Sequence, residues 1–190
     1  MIADPYTDPD TGILRNRFAI TDSDRLRTVE ADLTAVALAD LAVRVLPGSY
    51  DLAHLRAFHR EIFGDIYSWA GEVRSVNIAK TDLFCVHQHI ETYSQEVFSA
   101  LAKENYLRTL SRESFVDRLT HYFAEVNAIH PFREGNGRTQ RAFFHQLCRM
   151  ASWPIDWSRL DPEVNVAASV AALRGDNEPL RYMLDSMIRS

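Results

Sequence analysis

The 190-residue sequence predicts an all-α domain, and three observations lead there. Apolar residues recur every three or four positions along most of the chain, cap and stop residues bracket those stretches, and strand-like alternation is confined to one short segment. With 46% hydrophobic residues and no linker-like or repetitive stretch, a single domain over 1–190 with one sizeable core is expected.

Residues 1–20 are rich in Asp, Pro, Thr and Gly, as in Asp4-Pro5-Tyr6 and Asp8-Pro9-Asp10-Thr11-Gly12. This turn-forming composition predicts an arm wrapped on the core. Thr21-Asp22-Ser23-Asp24 offers N-cap oxygens ahead of Leu26, Val29, Leu33, Val36 and Leu38, so a first helix runs to about Val45. Pro47-Gly48 stops it, and Leu52, Leu55, Phe58, Ile62 and Phe63 mark a second helix ending near Gly64. Val73-Arg74-Ser75-Val76-Asn77-Ile78 alternates apolar and polar residues, which suits a short extended segment and a hairpin through Lys80-Thr81-Asp82-Leu83-Phe84.

Helical spacing resumes from Ile90 through Val97 and Leu101, then in Phe115, Leu119, Phe123, Val126 and Ile129. A further helix carries Ala142, Phe143, Leu147 and Met150, and two shorter ones cover residues 164–173 and 179–188, for about seven or eight in all. Trp69 is expected in the core, with Trp153 and Trp157 left open as core or exposed.

The formal net charge of −5 argues against direct nucleic-acid binding, which would show a basic stripe. No stretch is apolar enough to span a bilayer and no leader-like segment opens the chain, so a cytoplasmic, non-membrane protein is expected. Cys85 and Cys148 lack metal-ligand spacing. His87 and His89, with no third ligand in view, are read as surface or capping residues.

Chemistry concentrates in His130-Pro131-Phe132-Arg133-Glu134-Gly135-Asn136-Gly137-Arg138-Thr139-Gln140-Arg141, between two apolar helices. Gly135 and Gly137 flank Asn136, so the backbone there can approach a phosphate closely, and the N-terminus of the following helix adds positive partial charge. Arg138 and Arg141, three apart, would share a face and hold outer phosphates by forked hydrogen bonds. Glu134 supplies a carboxylate for Mg²⁺, whose remaining ligands can be water and substrate. His130 closes the preceding helix, whose negative dipole end should favour the imidazolium and make the ring a better general base. Phe132 reads as a buried anchor for the loop. Each residue alone has an ordinary structural explanation; seven coherent positions within twelve residues do not.

This segment resembles the Fic signature, His-x-Phe-x-Asp/Glu-Gly-Asn-Gly-Arg-x-x-Arg, at every specified position. Asp4-Pro5-Tyr6, Gly12-Ile13-Leu14-Arg15-Asn16, Ile66-Tyr67-Ser68-Trp69-Ala70-Gly71 and Gly175-Asp176 extend the similarity to small bacterial Fic toxins. The resemblance implies the all-α Fic fold with a short β-hairpin flap beside the active site, here about residues 77–86. It implies an AMP transferase using ATP and Mg²⁺, with His130 deprotonating a target hydroxyl and Glu134 binding the metal. The backbone of Gly135, Asn136 and Gly137 would form the anion hole, Arg138 would steady the β-phosphate region and Arg141 would meet the γ-phosphate.

In the family, the flap pins an extended stretch of the target by strand addition. Ile78, Lys80 and Thr81 are therefore candidate contacts to target or nucleotide, although an ordinary surface hairpin fits equally well. Many Fic proteins are restrained by a Ser/Thr-x-x-x-Glu-Gly/Asn helix whose glutamate pairs with the signature's last arginine. Only partial matches occur here, at Ser68 to Glu72, Thr92 to Glu96 and Thr109 to Glu113. A separate small antitoxin supplying that helix to Arg141 is the expected partner. The resemblance suggests the ATPase subunits of DNA gyrase and topoisomerase IV as targets. Two alternatives stay open: phosphoryl or other nucleotidyl transfer, and a non-catalytic ATP-binding interaction module.

Overall fold

The computed structural model describes residues 4–80 and 82–189 and contains seven α-helices. They are α1 (Ser23–Val43), α2 (Leu52–Phe63), α3 (Ile90–Lys103), α4 (Arg112–Ile129), α5 (Asn136–Met150), α6 (Pro162–Leu173) and α7 (Glu178–Met187). Helix starts are set by side-chain caps. Asp22, Asp51, Ser111 and Asp161 each accept a backbone N–H from the first turn of α1, α2, α4 and α6. Pro162 takes the first position of α6, where its missing N–H is harmless.

Helix α4 is the spine, in contact with α3, α5, α6 and α7, while α5 also packs on α1 and α2. Phe115, Val116, Leu119 and Ile129 of α4 and Phe143, Phe144, Leu147 and Cys148 of α5 are essentially inaccessible. Each such phenylalanine stabilises the fold by roughly 1.5–3 kcal/mol through burial. The core holds the junction between α4 and α5 rigid on the side away from solvent, and the signature loop is that junction.

The arm runs over this core: Tyr6 is buried edge-on against Trp69, with ring centroids 5.4 Å apart. Arg133 of the signature loop is tied back to the arm by Asp4 at 2.8 Å. Trp69 belongs to the core, as expected of a packing tryptophan, stacked on Tyr67 at 4.4 Å.

Residues 73–86 hold no extended strand among those described, and the turn expected there is minimal: Ala79 and Leu83 form one antiparallel bridge, the Phe84 amide donates to the Ile78 carbonyl and the Lys80 amide to the Asp82 carbonyl, each at 3.3 Å. Outside that turn the backbone bonds to other parts of the structure. Arg74 takes the carbonyls of Val76 and Cys85, the Cys85 amide donates to Ala128, and the His87 amide donates to the Asn77 side chain. Helix α1 is covered on one side only, and its Val36 and Val43 are largely exposed. No helix among the described residues is long and apolar enough to cross a membrane.

Candidate active site

His130 ends α4 as its C-cap in the left-handed region (φ 45°, ψ 62°). That backbone turn points the ring across the signature loop rather than along the helix. Its Nδ1 lies 3.1 Å from the carbonyl of Asn127. A carbonyl can only accept, so Nδ1 carries the proton and Nε2 presents its lone pair. Among the described residues Nε2 has no protein partner, and His130 lines a cleft of about 130 Å³ with Lys80, Glu134 and the Gly135–Gly137 backbone. Phe84 stacks on the ring at 3.8 Å and 12°, fixing its plane.

The expected effect of the helix dipole on this histidine is reversed. Burial, followed by the charge of Lys80, pushes its pKa down to about 3; the Asn127 carbonyl opposes this and Arg74 adds a smaller push in the same direction as Lys80. His130 is thus neutral at physiological pH, with Nε2 available as a base across the acidic range.

The loop is braced from within. Gly135 is the N-cap of α5 at φ +79°, and a Cβ there would sit 2.2 Å from the Phe63 ring. Asn136 clamps the turn by accepting the Phe132 amide at 2.9 Å and donating to the Phe132 carbonyl at 2.7 Å. Phe132 is fully buried, as an anchor should be, and stacks on His59 at 4.0 Å. The first helical bond of α5 runs from Thr139 N–H to Gly135 C=O at 3.1 Å, leaving the amides of Asn136, Gly137 and Arg138 ahead of it. The Gly135 amide itself donates to Glu134 Oε1 at 2.8 Å. The amides without a protein acceptor are therefore displaced by one residue from the expected set.

The two arginines do not act as a matched pair. Arg138 reaches Glu30 of α1 at 2.6 Å, Glu134 at 3.5 Å and Thr34 at 3.3 Å, and lies over the Phe63 ring at 4.7 Å. Tyr67 donates its hydroxyl to the same Glu30. Arg141 has no carboxylate partner among the described residues; burial and the charge of Arg138 both disfavour its cation. It lies over Gly137, whose Cβ would be 3.3 Å from Nη1, and it faces a groove of about 520 Å³ between α1 and α5. An anionic group would relieve this unpaired charge.

Ile78 and Lys80 line the His130 cleft, as a flap contact requires, while Thr81 lies outside the described residues. Three further residues escaped the sequence reading. His59, fully buried, accepts the Gly71 amide at 2.8 Å and donates to the Glu134 carbonyl at 3.0 Å, tying α2 to the loop. Glu30 holds Arg138, and Arg74 grips the His130 carbonyl at 2.8 Å. None has a local pattern marking it, because each meets the site from a distant part of the chain.

The signature geometry agrees with what comparison finds: the Fic/DOC family model matches residues 49–148. The chain belongs to the Fic/DOC family. It is 40% identical over 98% of its length to "Probable protein adenylyltransferase y4lH" of Sinorhizobium fredii, covering 97% of that protein. It is 39% identical over 95% of its length to "Protein adenylyltransferase VbhT" of Bartonella schoenbuchensis, of which it spans only 38%. The N-terminal Fic domain of a VirB-translocated Bep effector from Bartonella quintana, crystallised with bound ADP, superposes with a TM-score of 0.89. It is 27% identical, over 97% of this chain and 94% of that one. These relatives place this Fic-family chain among the protein adenylyltransferases.

Buried neutral histidines, His130, His59 and His54, make the fold acid-sensitive here. Burial also lowers His59, to about 4. Below the ordinary value near 6.5, the unfolded chain binds a proton at each position that the folded chain refuses, so stability present above pH 6.5 is lost as pH falls towards 4. His130 and His59 each contribute a slope of about 1.4 kcal/mol per pH unit. Urea unfolding at successive pH values between 6.5 and 4.5 should show a steep decline; a flat profile would contradict the neutral, buried state.

Proposed function

We propose that this chain transfers AMP from Mg-ATP to a hydroxyl side chain of a target protein, acting in the cytoplasm as the toxin of a toxin–antitoxin pair. One observation carries the chemistry: the unpartnered Nε2 of His130 and the Gly135–Gly137 backbone line one cleft. In the step, the target oxygen bonds to the α-phosphorus, its proton passes to Nε2, and the bond to the β-phosphate breaks to release pyrophosphate. The amides ahead of α5 and the cation of Arg141 stabilise the charge on the phosphates, with Arg138 beside the β-phosphate.

Glu134 suits the magnesium ion. Its side chain is 44% exposed, and among the described residues its Oε2 has no protein partner. A single accessible carboxylate fits an ion that keeps most of its waters, and the bound ion supplies charge neutralisation at the phosphates. Ile78 and Lys80, on the loop beside the cleft, serve as target or nucleotide contacts, together with Thr81.

The regulatory half of the proposal has its own support. Among the described residues Arg141 is without a counter-charge, and it opens on an apolar groove flanked by Leu38, Leu41 and Trp157. A small antitoxin helix laid there, bringing a glutamate to Arg141, would compete with the γ-phosphate. The isolated chain is then expected to arrest growth when expressed; a harmless chain that still binds Mg-ATP contradicts the toxin role.

The ATPase subunits of DNA gyrase and topoisomerase IV are the proposed targets. Mass spectrometry of these subunits after incubation with the protein and Mg-ATP should find an adenylyl group on a tyrosine or another hydroxyl. An added phosphate would instead assign phosphoryl transfer, and no modification of these or any other protein in a bacterial lysate would leave nucleotide binding alone.

A further inference from the structure

Arg74 is the largest side chain buried almost completely, at 2% exposure, yet no carboxylate pairs with it among the described residues. Main-chain carbonyls surround it instead. Its Nε donates to His130 at 2.8 Å, Nη1 to Val76 at 2.7 Å, and Nη2 to Cys85 at 2.5 Å and Ile129 at 3.3 Å. Its own amide donates to the Pro131 carbonyl at 2.9 Å.

A buried cation normally requires a counter-charge. Here the last carbonyls of α4, at the negative end of the helix dipole, take that place and are themselves satisfied. The remaining two carbonyls stand at either end of the loop carrying Ile78 and Phe84. One planar cation thus fastens three things together: the end of α4, the entry to the loop and its exit.

His130 occupies a left-handed conformation that costs a non-glycine residue about 1–2 kcal/mol, so something must hold it. We propose that Arg74 is a positioning residue for AMP transfer: by gripping the carbonyls of Ile129, His130, Val76 and Cys85, it keeps the imidazole aimed into the cleft and the loop closed over it. Arg74 is not among the residues that line the cleft, so it acts through His130 and through Phe84, which stacks on the ring. This rests on the reading of His130 as the base.

Arg74→Lys tests it. Lysine keeps the charge but replaces the five-donor fork with one compact ammonium, which cannot reach carbonyls on both sides of the loop and on α4 together. The maximal rate of AMP transfer from radiolabelled ATP to bacterial lysate protein should fall on the order of 100-fold, the scale of a catalytic group displaced by about 1 Å. The dissociation constant for ATP should stay at the wild-type value, because Gly135–Gly137 and Arg141 are untouched. Arg74→Met should lose more of the same rate; if it does not fold, Arg74→Lys decides alone. An unchanged maximal rate in folded Arg74→Lys overturns the proposal, as does parallel loss of rate and ATP binding, which marks a purely structural role. A wild-type protein that labels nothing removes the functional reading itself, and this inference with it.

Discussion

His130→Ala should reduce AMP transfer by roughly 100- to 10,000-fold, the span associated with a positioned general base. The prediction follows from the side chain's own environment. Nδ1 is committed to the Asn127 carbonyl, Nε2 is the available acceptor, and Phe84 holds the ring plane. With a pKa near 3, the ring is unprotonated at every pH where the protein would be assayed. ATP affinity should persist in the variant, since the amides ahead of α5 and the Arg141 cation remain. Isothermal titration with ATP beside a transfer assay separates the two effects. Wild-type transfer by a purified His130→Ala protein would remove the base from this account.

Gly135→Ala should be the most damaging single methyl added to the chain. The residue stands at φ +79°, where a side chain costs about 1–2 kcal/mol. Its Cβ would fall 2.2 Å from the Phe63 ring. That ring is fully buried and cannot swing aside: it stacks on His59 at 4.7 Å and supports Arg138 at 4.7 Å on its face. Overpacking of this kind costs about 1–3 kcal/mol more. The combined loss, on the order of 3 kcal/mol, lowers the unfolding midpoint by roughly 10 °C in a domain of this size. Relief by moving the loop would carry the free amides of α5 away from the phosphate, so ATP affinity should fall with stability. Calorimetry together with ATP titration checks both; a variant matching wild type in each would show that the turn tolerates a side chain.

The helices were legible because their signals are local. Asp22 caps α1 from within the Thr21–Asp24 run that marks its start, and α4 shows its apolar spacing without interruption. The signature was legible for the same reason: base, carboxylate, glycines and arginines fall within twelve residues. What surrounds it was not. Glu30 meets Arg138 across 108 residues, His59 meets the Glu134 carbonyl across 75, and Arg74 meets the His130 carbonyl across 56. Such contacts depend on how helices pack, which periodicity does not specify. The same dependence on packing accounts for one property that differs from expectation. The helix end predicts a raised basicity for His130, whereas burial and the charge of Lys80 hold the ring neutral.

The pairing of Arg138 with Glu30 divides labour between arginines that look equivalent in the motif. Arg138 is held by α1 and by the face of Phe63, a rigid wall for the pocket, while Arg141 keeps its charge available. A ligand or a partner bearing a negative group therefore gains most by approaching Arg141. This unpaired cation underlies both the γ-phosphate contact and the antitoxin contact proposed above, and makes the two mutually exclusive.

A crystal structure of the protein with magnesium and a non-hydrolysable ATP analogue tests the central claim most directly. The account predicts the α-phosphate against the amides of Asn136, Gly137 and Arg138, within one hydroxyl group's reach of His130 Nε2, and the γ-phosphate on Arg141. A triphosphate lying the other way round, with its terminal phosphate nearest His130, or bound outside this cleft, would contradict it.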